Sequence, residues 1–416
     1  MKIRRILISI FVSLVVISCG ACMYYEGGEH ITGDVTVKIT NEVTNKVVDY
    51  NNITITDFQN AIEETVAAVE RMVVGVTLKE KTYVKMGNQL VESEDAVGLG
   101  SGVIYKREEL PDGSGFKYYV ITNRHVVTDE DNTNELSIYV YDGFDDVEIK
   151  AELVGYDEKV DLALITFKHT TYIDTAEFAD SDEVKKGSFV IAIGNPRGYE
   201  YYSSATLGIV SGGIRYLSED TDEDGINDFL SLYIQHDAAI NSGNSGGGLF
   251  TIDGKLLGIN SMKLVTVNNV DVDNMGFAIP SNVAKTIITE YIEKGVEIVR
   301  PRLGVTSIEV KQLTPAIIQA NGLKSIPAKL YPDGIKYGLY VTDDVAPGCT
   351  LSGTGLAKDD ILLELDGEKI RSMDMMSAKL NSLVDYQIGD EITFVYYDRS
   401  ADAIVTETAI LRAQSK

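Results

Sequence analysis

The chain is 416 residues long, which at the usual domain size corresponds to two or three folded units. Hydrophobic residues make up 44% of the sequence and charged residues 24%, which excludes a wholly disordered or collagen-like chain and allows sizeable cores. The 63 acidic residues outnumber the 37 Lys and Arg residues, and the formal net charge is −26. This excess of negative charge argues against nucleic acid as a partner, because phosphates must be neutralised by basic side chains.

The N-terminus has the pattern of an export signal. A basic stretch (residues 2–5) precedes an apolar run (residues 6–18) that is shorter than the roughly 20 residues of a membrane-spanning helix. The run ends at Cys19 in a sequence that resembles a bacterial lipobox, which predicts a lipidated Cys19 as the first mature residue. An uncleaved signal anchor and secretion after cleavage near Ala21 stay open as alternatives. Each of them places the rest of the chain outside the cytoplasm, anchored to the cell membrane or secreted.

Residues 73–279 consist of short β-rich runs separated by turn residues, a pattern typical of β-barrels or a β-sandwich. The clearest predicted strands are residues 102–105, 118–121, 136–140 and 189–193. A helix is predicted before this segment over residues 57–71, with Asp57 as its cap. A second helix is predicted after the segment, from its cap Ser281 to Gly295.

The most informative stretch is Asp237 to Gly247, in which Ser245 lies among glycines. A serine flanked by glycines can occupy a tight turn where backbone N–H groups converge. The stretch also fits G-x-S-x-G, the nucleophile elbow of α/β-hydrolases, in which the catalytic histidine follows the serine. All four histidines of this chain precede Ser245: His30, His125, His169 and His236. The α/β-hydrolase order is therefore excluded, and the orders His–Asp–Ser and Asp–His–Ser remain.

The positions of the histidines favour His125 as the catalytic base. His30 lies in the predicted N-terminal tether, His169 in a predicted turn and His236 in a predicted strand. His125 follows a predicted strand at a strand-to-turn junction, where an imidazole can project into a cleft. Asp161 opens an apolar strand, which would make its carboxylate rigid and partly buried, as the group that orients the imidazole must be.

Several blocks of sequence, in one order, resemble the HtrA/DegP-type serine proteases, a trypsin-like family. They comprise residues 122–127, 161–164 and 237–247, with secondary matches at residues 100–104, 194–198, 207–211 and 276–280. The resemblance covers about residues 57–295 and implies two packed six-stranded β-barrels with the catalytic triad in the cleft between them. The triad residues are His125, Asp161 and Ser245. The sequence departs from the family's usual residues outside the triad, at Arg124, His236, Ser242 and Gly248.

The resemblance also implies the chemistry around the triad. Backbone N–H groups of Gly243 and Ser245 would form the oxyanion hole, and Ala239 with Ile240 would line the specificity pocket. Because no fixed carboxylate lies at Ala239, small or medium apolar substrate side chains are expected there rather than Arg or Lys. Members of the family degrade misfolded or damaged exported proteins without ATP or a required cofactor, and often form homo-trimers through their N-terminal part.

The acidic run from Asp220 to Asp228 matches the start of a calcium loop. Oxygen ligands would come from Asp220, Asp222, Asp224 and Asp228, with a glycine at the sixth position. The glutamate expected at the twelfth position is replaced by Ser231, and the flanking segments are predicted strands rather than EF-hand helices. The run is therefore either a Ca²⁺ site or a solvated acidic turn.

Residues 300–416 resemble a PDZ domain, a small α+β barrel. The resemblance rests on residues 302–305, 337–341, 346–348, 355–362 and 365–370. PDZ domains add a peptide strand at a sheet edge and capture its C-terminal carboxylate on backbone N–H groups. The peptide-binding residues assigned on this basis are Gly338, Leu339, Tyr340 and Val341. Met376 and Leu380, four residues apart on a helix predicted over residues 373–384, either wall the groove or belong to the core.

The sequence as a whole predicts a mostly β protein, a trypsin-like double β-barrel followed by a PDZ domain. Its predicted parts are a lipoprotein-type signal segment (1–22), a tether (23–56), a serine protease domain (57–299) and the PDZ domain (300–416). The predicted function is an extracytoplasmic, ATP-independent serine endopeptidase whose partners are misfolded proteins, C-terminal peptides and the membrane. The alternative is a PDZ-led chaperone or regulatory binding protein with little proteolysis.

Overall fold

The computed structural model describes most of the chain. The described residues are 38–41, 46–49, 54–86, 89–128, 135–141, 146–195, 203–219, 229–261, 266–267, 270–271 and 275–413. The predicted signal segment (1–22), His30 and the acidic run at residues 220–228 lie outside these ranges. Within them, no helix has the length and apolar character needed to cross a membrane. Backbone contacts separate a short N-terminal unit (residues 1–59) from a large unit (residues 60–416).

The N-terminal unit contains a hairpin and the start of a helix. Strands β1 (Lys38–Asn41) and β2 (Lys46–Asp49) pair in antiparallel fashion, and helix α1 covers Ile55–Val69. The Thr54 hydroxyl accepts the Asp57 N–H at 3.1 Å, while the Asp57 carboxylate accepts the Thr54 N–H at 2.8 Å. This reciprocal pair is a capping box. The prediction of Asp57 as the cap is therefore wrong: Thr54 caps the helix, and Asp57 completes the box from the first turn.

Seven strands form the first sheet of the large unit. They are β3 (Val73–Met86), β4 (Gln89–Glu109), β5 (Phe116–Thr122), β6 (Glu135–Tyr141), β7 (Asp146–Lys150), β8 (Glu152–Asp157) and β9 (Leu162–His169). The order across the sheet is β7-β6-β3-β4-β5-β9-β8, and all neighbours are antiparallel. The short helix α2 (Arg124–Val127) follows β5.

The first sheet closes on itself through one continuous stretch of chain. Its two outermost strands, β7 and β8, are separated only by Ala151, whose N–H donates to the Leu136 carbonyl at 2.8 Å. The extended chain over residues 146–157 therefore pairs with β6 at one edge and with β9 at the other. The predicted six-stranded barrel is present as six passes of the chain, one of which is interrupted at Ala151.

The second sheet is a closed barrel of six strands. They are β10 (Phe189–Gly194), β11 (Ser204–Glu219), β12 (Phe229–His236), β13 (Gly248–Thr251), β14 (Leu256–Ser261) and β17 (Gly276–Pro280), in the order β10-β11-β12-β17-β14-β13. Strands β15 (Thr266–Val267) and β16 (Val270–Asp271) form a separate two-stranded sheet. The four strands predicted most clearly from the sequence lie within β4, β5, β6 and β10, so those predictions are confirmed.

One apolar cluster joins the two barrels. Val103 and Ile121 from the first barrel belong to the same buried cluster as Ile193 and Phe250 from the second. A further cluster fills the first barrel, and another lies on the second. Because strands from both barrels share a core, the loop after β5, the turn before β9 and the loop before β13 are brought to the same cleft.

A helix follows the second barrel. It consists of α3 (Ser281–Lys285) and a π-helical continuation (Thr286–Ile292), and it buries Ile287 and Ile288 against the barrels. Ser281 does not cap it, because the Ser281 hydroxyl donates to the Ala179 carbonyl at 2.8 Å instead of accepting a helical N–H. The helix was predicted in the correct place, but the cap was wrong.

The C-terminal part of the large unit is a six-stranded sheet with two helices. Its strands are β18 (Ser307–Glu309), β19 (Leu339–Val341), β20 (Ile361–Leu365), β21 (Glu368–Lys369), β22 (Glu391–Asp398) and β23 (Ala403–Ile410), ordered β18-β19-β20-β22-β23 with β21 on β20. The helices are α4 (Pro315–Ala320) and α5 (Met373–Ser382). Short 3₁₀ turns occupy Glu70–Met72, Ser181–Glu183, Val310–Gln312 and Ala328–Leu330. The mostly β fold class is as predicted.

Candidate active site

Asp161 lies at the end of the turn between β8 and β9, with a positive φ of 55°. Aspartate tolerates this left-handed region better than most residues, since its short side chain bonds locally. Its carbonyl accepts the Arg124 N–H at 3.2 Å and the Asn123 side-chain amide at 2.9 Å. Its carboxylate accepts the His125 N–H on Oδ1 at 3.0 Å and lies 2.7 Å from His125 Nδ1 through Oδ2. The turn and helix α2 are thus held together at both the backbone and the carboxylate.

His125 is the second residue of α2, directly after β5. Its side chain is 46% exposed, whereas that of Asp161 is only 15% exposed. The imidazole is therefore reachable from the cleft, while the carboxylate behind it is shielded. Because Nδ1 faces Asp161, the second ring nitrogen, Nε2, is the one left to exchange a proton with another group.

Ser245 lies in the loop between β12 and β13 and is 5% exposed. Its carbonyl accepts the Ser101 N–H at 2.8 Å, and the next N–H, of Gly246, donates to the Asn260 carbonyl at 2.8 Å. Gly246 has a φ of 82°, and a Cβ there would lie 2.1 Å from the Ser101 carbonyl oxygen. Only glycine fits this close approach, so the glycine after the serine is a requirement of the turn.

Gly100 in β4 is the residue at which the His125 and Ser245 segments meet. A Cβ on Gly100 would lie 2.6 Å from Cγ1 of Val126 and 3.0 Å from the Ser245 carbonyl oxygen. Val126 is the neighbour of His125 in α2, so both segments contact the same point of one strand. The structure therefore brings the segments of His125 and Ser245 together at β4, with Asp161 bound to His125.

Comparison with known proteins agrees with this arrangement. The profile of the trypsin-like peptidase domain matches residues 100–259. The Do-like serine protease HtrB of Bacillus subtilis (strain 168) is 34% identical over 357 residues, which cover 84% of this chain and 71% of that protein. The Do-like serine protease HtrA of the same strain is 39% identical over 313 residues, which cover 72% of this chain and 64% of that protein. This chain belongs to the HtrA family of serine proteases.

Comparison with solved structures also relates the fold of this chain to that of HtrA-type proteases. The solved structure of the HtrA-type protease AlgW with a decapeptide matches with a TM-score of 0.59 at 24% sequence identity, covering 85% of this chain and 99% of that one. At this identity the likeness concerns the fold alone. The covered share of the chain agrees with the predicted double barrel followed by a small α+β domain.

Two polar residues that sequence reasoning did not single out fix the loop before Ser245. The Ser101 hydroxyl donates to the Gly243 carbonyl at 2.7 Å and accepts the Asn195 N–H at 2.8 Å. Asn195 in turn accepts the Ser203 N–H on its side chain at 2.9 Å. Gly243 has a φ of 97°, which glycine adopts readily. Ser101 and Asn195 both lie in blocks that resemble the HtrA family, and that was the signal available to find them.

The predicted specificity-pocket residues lie on the same loop. Ala239 is exposed, Ile240 is half-buried, and the Ala239 carbonyl accepts the Thr206 hydroxyl at 3.0 Å. The Asp237 carboxylate accepts the Ile209 N–H at 2.6 Å. That carboxylate is therefore occupied in joining the loop to β11, and Asp237 has a structural contact rather than a place beside His125.

His236, one of the departures from the family's usual residues, is fully buried. In the described part of the chain neither of its ring nitrogens has a hydrogen-bond partner. Burial lowers the pKa of His236 to about 4, while the nearby Asp237 carboxylate acts in the opposite direction. A Cβ on Gly276 would lie 2.4 Å from the ring, so the imidazole packs directly on that glycine. His236 is a neutral packing residue at physiological pH.

The residues predicted to bind peptide in the C-terminal domain lie in an internal strand. Leu339, Tyr340 and Val341 form β19, which pairs with β18 on one side and β20 on the other, and their side chains are buried. Gly338 precedes them, and its N–H donates to the Ile370 carbonyl at 2.8 Å. A peptide strand cannot be added where both edges are already paired. The assignment of the peptide-binding loop to residues 338–341 is therefore wrong.

A groove of the expected kind lies elsewhere in the domain. A cavity of about 120 Å³ separates the segment before β18 from helix α5. It is lined by Pro301, Arg302, Leu303, Gly304, Val305, Met373, Met376, Ser377, Leu380 and Asn381. Among the described strands, β18 pairs with β19 alone and is an edge strand of the sheet. Met376 and Leu380, considered from the sequence as groove walls or core, are buried and line this cavity.

Proposed function

We propose that this chain is an extracytoplasmic, ATP-independent serine endopeptidase that cleaves misfolded or damaged exported proteins. The observation that carries the proposal is the His125–Asp161 contact at 2.7 Å beside the loop of Ser245, with Gly100 packed against both segments. Membership of the HtrA family supports the same reaction. The export signal at the N-terminus supports the compartment, and attachment through a lipidated Cys19 is part of the proposal.

The proposed reaction is acyl transfer through a Ser–His–Asp triad. His125 removes the hydroxyl proton of Ser245, and the resulting oxygen attacks a peptide carbonyl to give a tetrahedral intermediate. Asp161 keeps the imidazole in the tautomer that exposes Nε2 and stabilises the imidazolium. Backbone N–H groups of Gly243 and Ser245 bind the oxyanion, each worth roughly 3–4 kcal/mol in comparable sites. His125 then returns the proton to the leaving amine, and water releases the acyl group by the reverse steps.

Substrate recognition is proposed at two places. Ala239 and Ile240 form the specificity pocket and accept small or medium apolar side chains, since neither carries a charge. The domain over residues 300–416 acts as a PDZ domain that holds C-terminal peptides in the groove between residues 301–305 and α5. Protein substrates and peptides are thus bound by separate parts of the chain, and homo-trimers are proposed as the assembly.

The experiment that tests the proposed function compares the parent chain with Ser245→Ala on unfolded casein. We expect the substitution to reduce cleavage by at least about 10³-fold, because loss of the nucleophile removes the covalent route. The matched control is Ser114→Ala, which removes a hydroxyl that donates to Asp112 in an exposed loop. Unchanged cleavage by Ser245→Ala would show that the peptidase assignment is incorrect.

A further inference from the structure

A buried ion pair connects the C-terminal domain with the turn that carries Asp161. A guanidinium nitrogen of Arg300 contacts Oδ2 of Asp157, and the two side chains are only 8% and 3% exposed. Charged groups removed from water to this extent are stable only when they are paired and hydrogen-bonded. The pair joins residues 143 positions apart, so it depends on the tertiary fold.

The position of Arg300 is fixed on two further sides. Its Nε donates to the carbonyl of Asn381, in helix α5, at 2.8 Å. Its guanidinium carbon lies 5.1 Å from the centre of the Phe229 ring at the start of β12. A planar guanidinium bound at two donors and over an aromatic ring has a defined orientation, which an ammonium group cannot reproduce.

Asp157 links the fixed guanidinium of Arg300 to the turn between β8 and β9. It is the last residue of β8 and pairs with Leu162, the first residue of β9, so residues 158–161 close the turn. Asp157 Oδ1 accepts the Lys159 N–H at 3.1 Å, and the Lys159 carbonyl accepts the Ser231 hydroxyl at 3.3 Å. Arg300 and β12 thereby hold the first residues of the turn. Asp161 is the last residue of the same turn.

We propose that Arg300 is a positioning residue for the catalytic carboxylate of Asp161. The inference rests on the proposed peptidase function and names a residue outside the trypsin-like part of the chain. Asp161 holds a left-handed backbone conformation that persists only when its surroundings fix it. The contacts of Arg300 are with Asp157, Asn381 and Phe229, and Arg300 acts by fixing the start of the turn through Asp157.

The test measures kinetics and the hydrogen bond itself in Arg300→Met and Arg300→Lys. Arg300→Met is expected to lower kcat on a short fluorogenic peptide about 10- to 100-fold with KM nearly unchanged, since a displaced carboxylate affects the reaction more than binding. The low-field proton NMR signal of the His125 Nδ1–Asp161 bond is expected to weaken or shift, and Asp161→Asn identifies that signal. Arg300→Lys is expected to give a kcat between those of the parent and Arg300→Met, because lysine keeps the positive charge but lacks the planar group that donates on two sides.

The double variant Arg300→Met/Asp157→Asn provides a second, independent readout. If Arg300 acts through Asp157, the double variant is expected to be no slower than Arg300→Met alone. The control is Arg412→Ala, which removes an exposed arginine from the same domain and is expected to keep the parent kcat.

The inference is overturned if folded Arg300→Met keeps the parent kcat and the parent NMR signal, even when its thermal midpoint falls. If Arg300→Met does not fold, Arg300→Lys decides by the same two measurements. Failure of the proposed function has a different signature: Ser245→Ala would then cleave at the parent rate, whatever the Arg300 variants do.

Discussion

Two single residues near the site hold conformations or environments that isolated amino acids avoid. Asp161 adopts a positive φ, which costs most residues about 1–2 kcal/mol and costs aspartate less, because its short side chain bonds locally. The bonds that it makes to Asn123, Arg124 and His125 offset that cost. Strain of this kind is found where function requires a fixed side chain, and the same bonds aim the carboxylate at the imidazole.

His236 gives the stability of the fold a dependence on acid. Its pKa is about 4 in the folded protein and about 6.5 in an unfolded chain, because burial disfavours the imidazolium. The unfolded chain therefore takes up this proton first as the pH falls. The stabilisation is complete above pH 6.5 and is lost as the pH falls to about 4, by up to about 3 kcal/mol.

We expect His236→Thr to reduce this acid sensitivity. On a Ser245→Ala background, which prevents self-digestion, the thermal midpoint of the parent falls between pH 7 and pH 4.5. Removal of the buried imidazole is expected to narrow that fall by about 3–5 °C, because one kcal/mol shifts the midpoint of a unit of this size by roughly 1–2 °C. Thermal unfolding followed by circular dichroism measures it. An equally large fall in the variant would mean that other groups account for the acid sensitivity.

At the scale of elements, the sequence predicted individual strands and helices, but it did not predict which strands pair with each other. The predicted strands over residues 102–105 and 189–193 lie inside β4 and β10, because alternation and turn residues are properties of short stretches. The triad was assigned from chain order and from blocks that resemble the HtrA family, and it stays a prediction that the His125–Asp161 contact supports. Residues 338–341 were misassigned because a sequence does not show which strand has a free edge. The contact of Arg300 with Asp157 was equally invisible, since it depends on tertiary packing.

Strand β4 provides an element-scale test of how the site is assembled. Gly100→Ala is expected to lower kcat about 10- to 100-fold, because the added methyl would lie 2.6 Å from Val126 Cγ1 and 3.0 Å from the Ser245 carbonyl. Hydrolysis of a short peptide, with thermal unfolding beside it, measures the effect. The control is Gly113→Ala, at a positive φ with no neighbour within 4 Å of the added carbon, which is expected to lose stability but not activity. Parent kcat in Gly100→Ala would show that the two segments tolerate separation.

At the scale of the whole molecule, helix α5 belongs to two surfaces of the large unit. Met376 and Leu380 line the groove beside residues 301–305. At the end of the same helix, the Asn381 amide donates to the Leu230 carbonyl of β12 at 2.9 Å, and its carbonyl accepts Nε of Arg300. The helix that bounds the proposed peptide groove is therefore also the helix that contacts the second barrel. Its sequence indicated a helix, but only the assembled fold shows both contacts.

The position of the groove can be tested with one substitution on each candidate surface. Ser377→Glu places a carboxylate in the cavity between residues 301–305 and α5, where it would repel the terminal carboxylate of a peptide. Binding of a fluorescent decapeptide with an apolar C-terminal residue is expected to weaken at least about 10-fold, as measured by anisotropy on the Ser245→Ala background.

Tyr340→Phe is the matched control for that substitution on the internal strand. It removes only a hydroxyl that bonds to Asp359 and to the Lys324 N–H, at 2.7 and 3.0 Å, and Kd is expected to stay unchanged. Because Ser377 is half-buried on the groove side of α5, its replacement by glutamate is expected to leave the fold intact, which the thermal midpoint checks. If Tyr340→Phe weakens binding and Ser377→Glu does not, the peptide is held at β19 and the groove beside α5 is not the binding site.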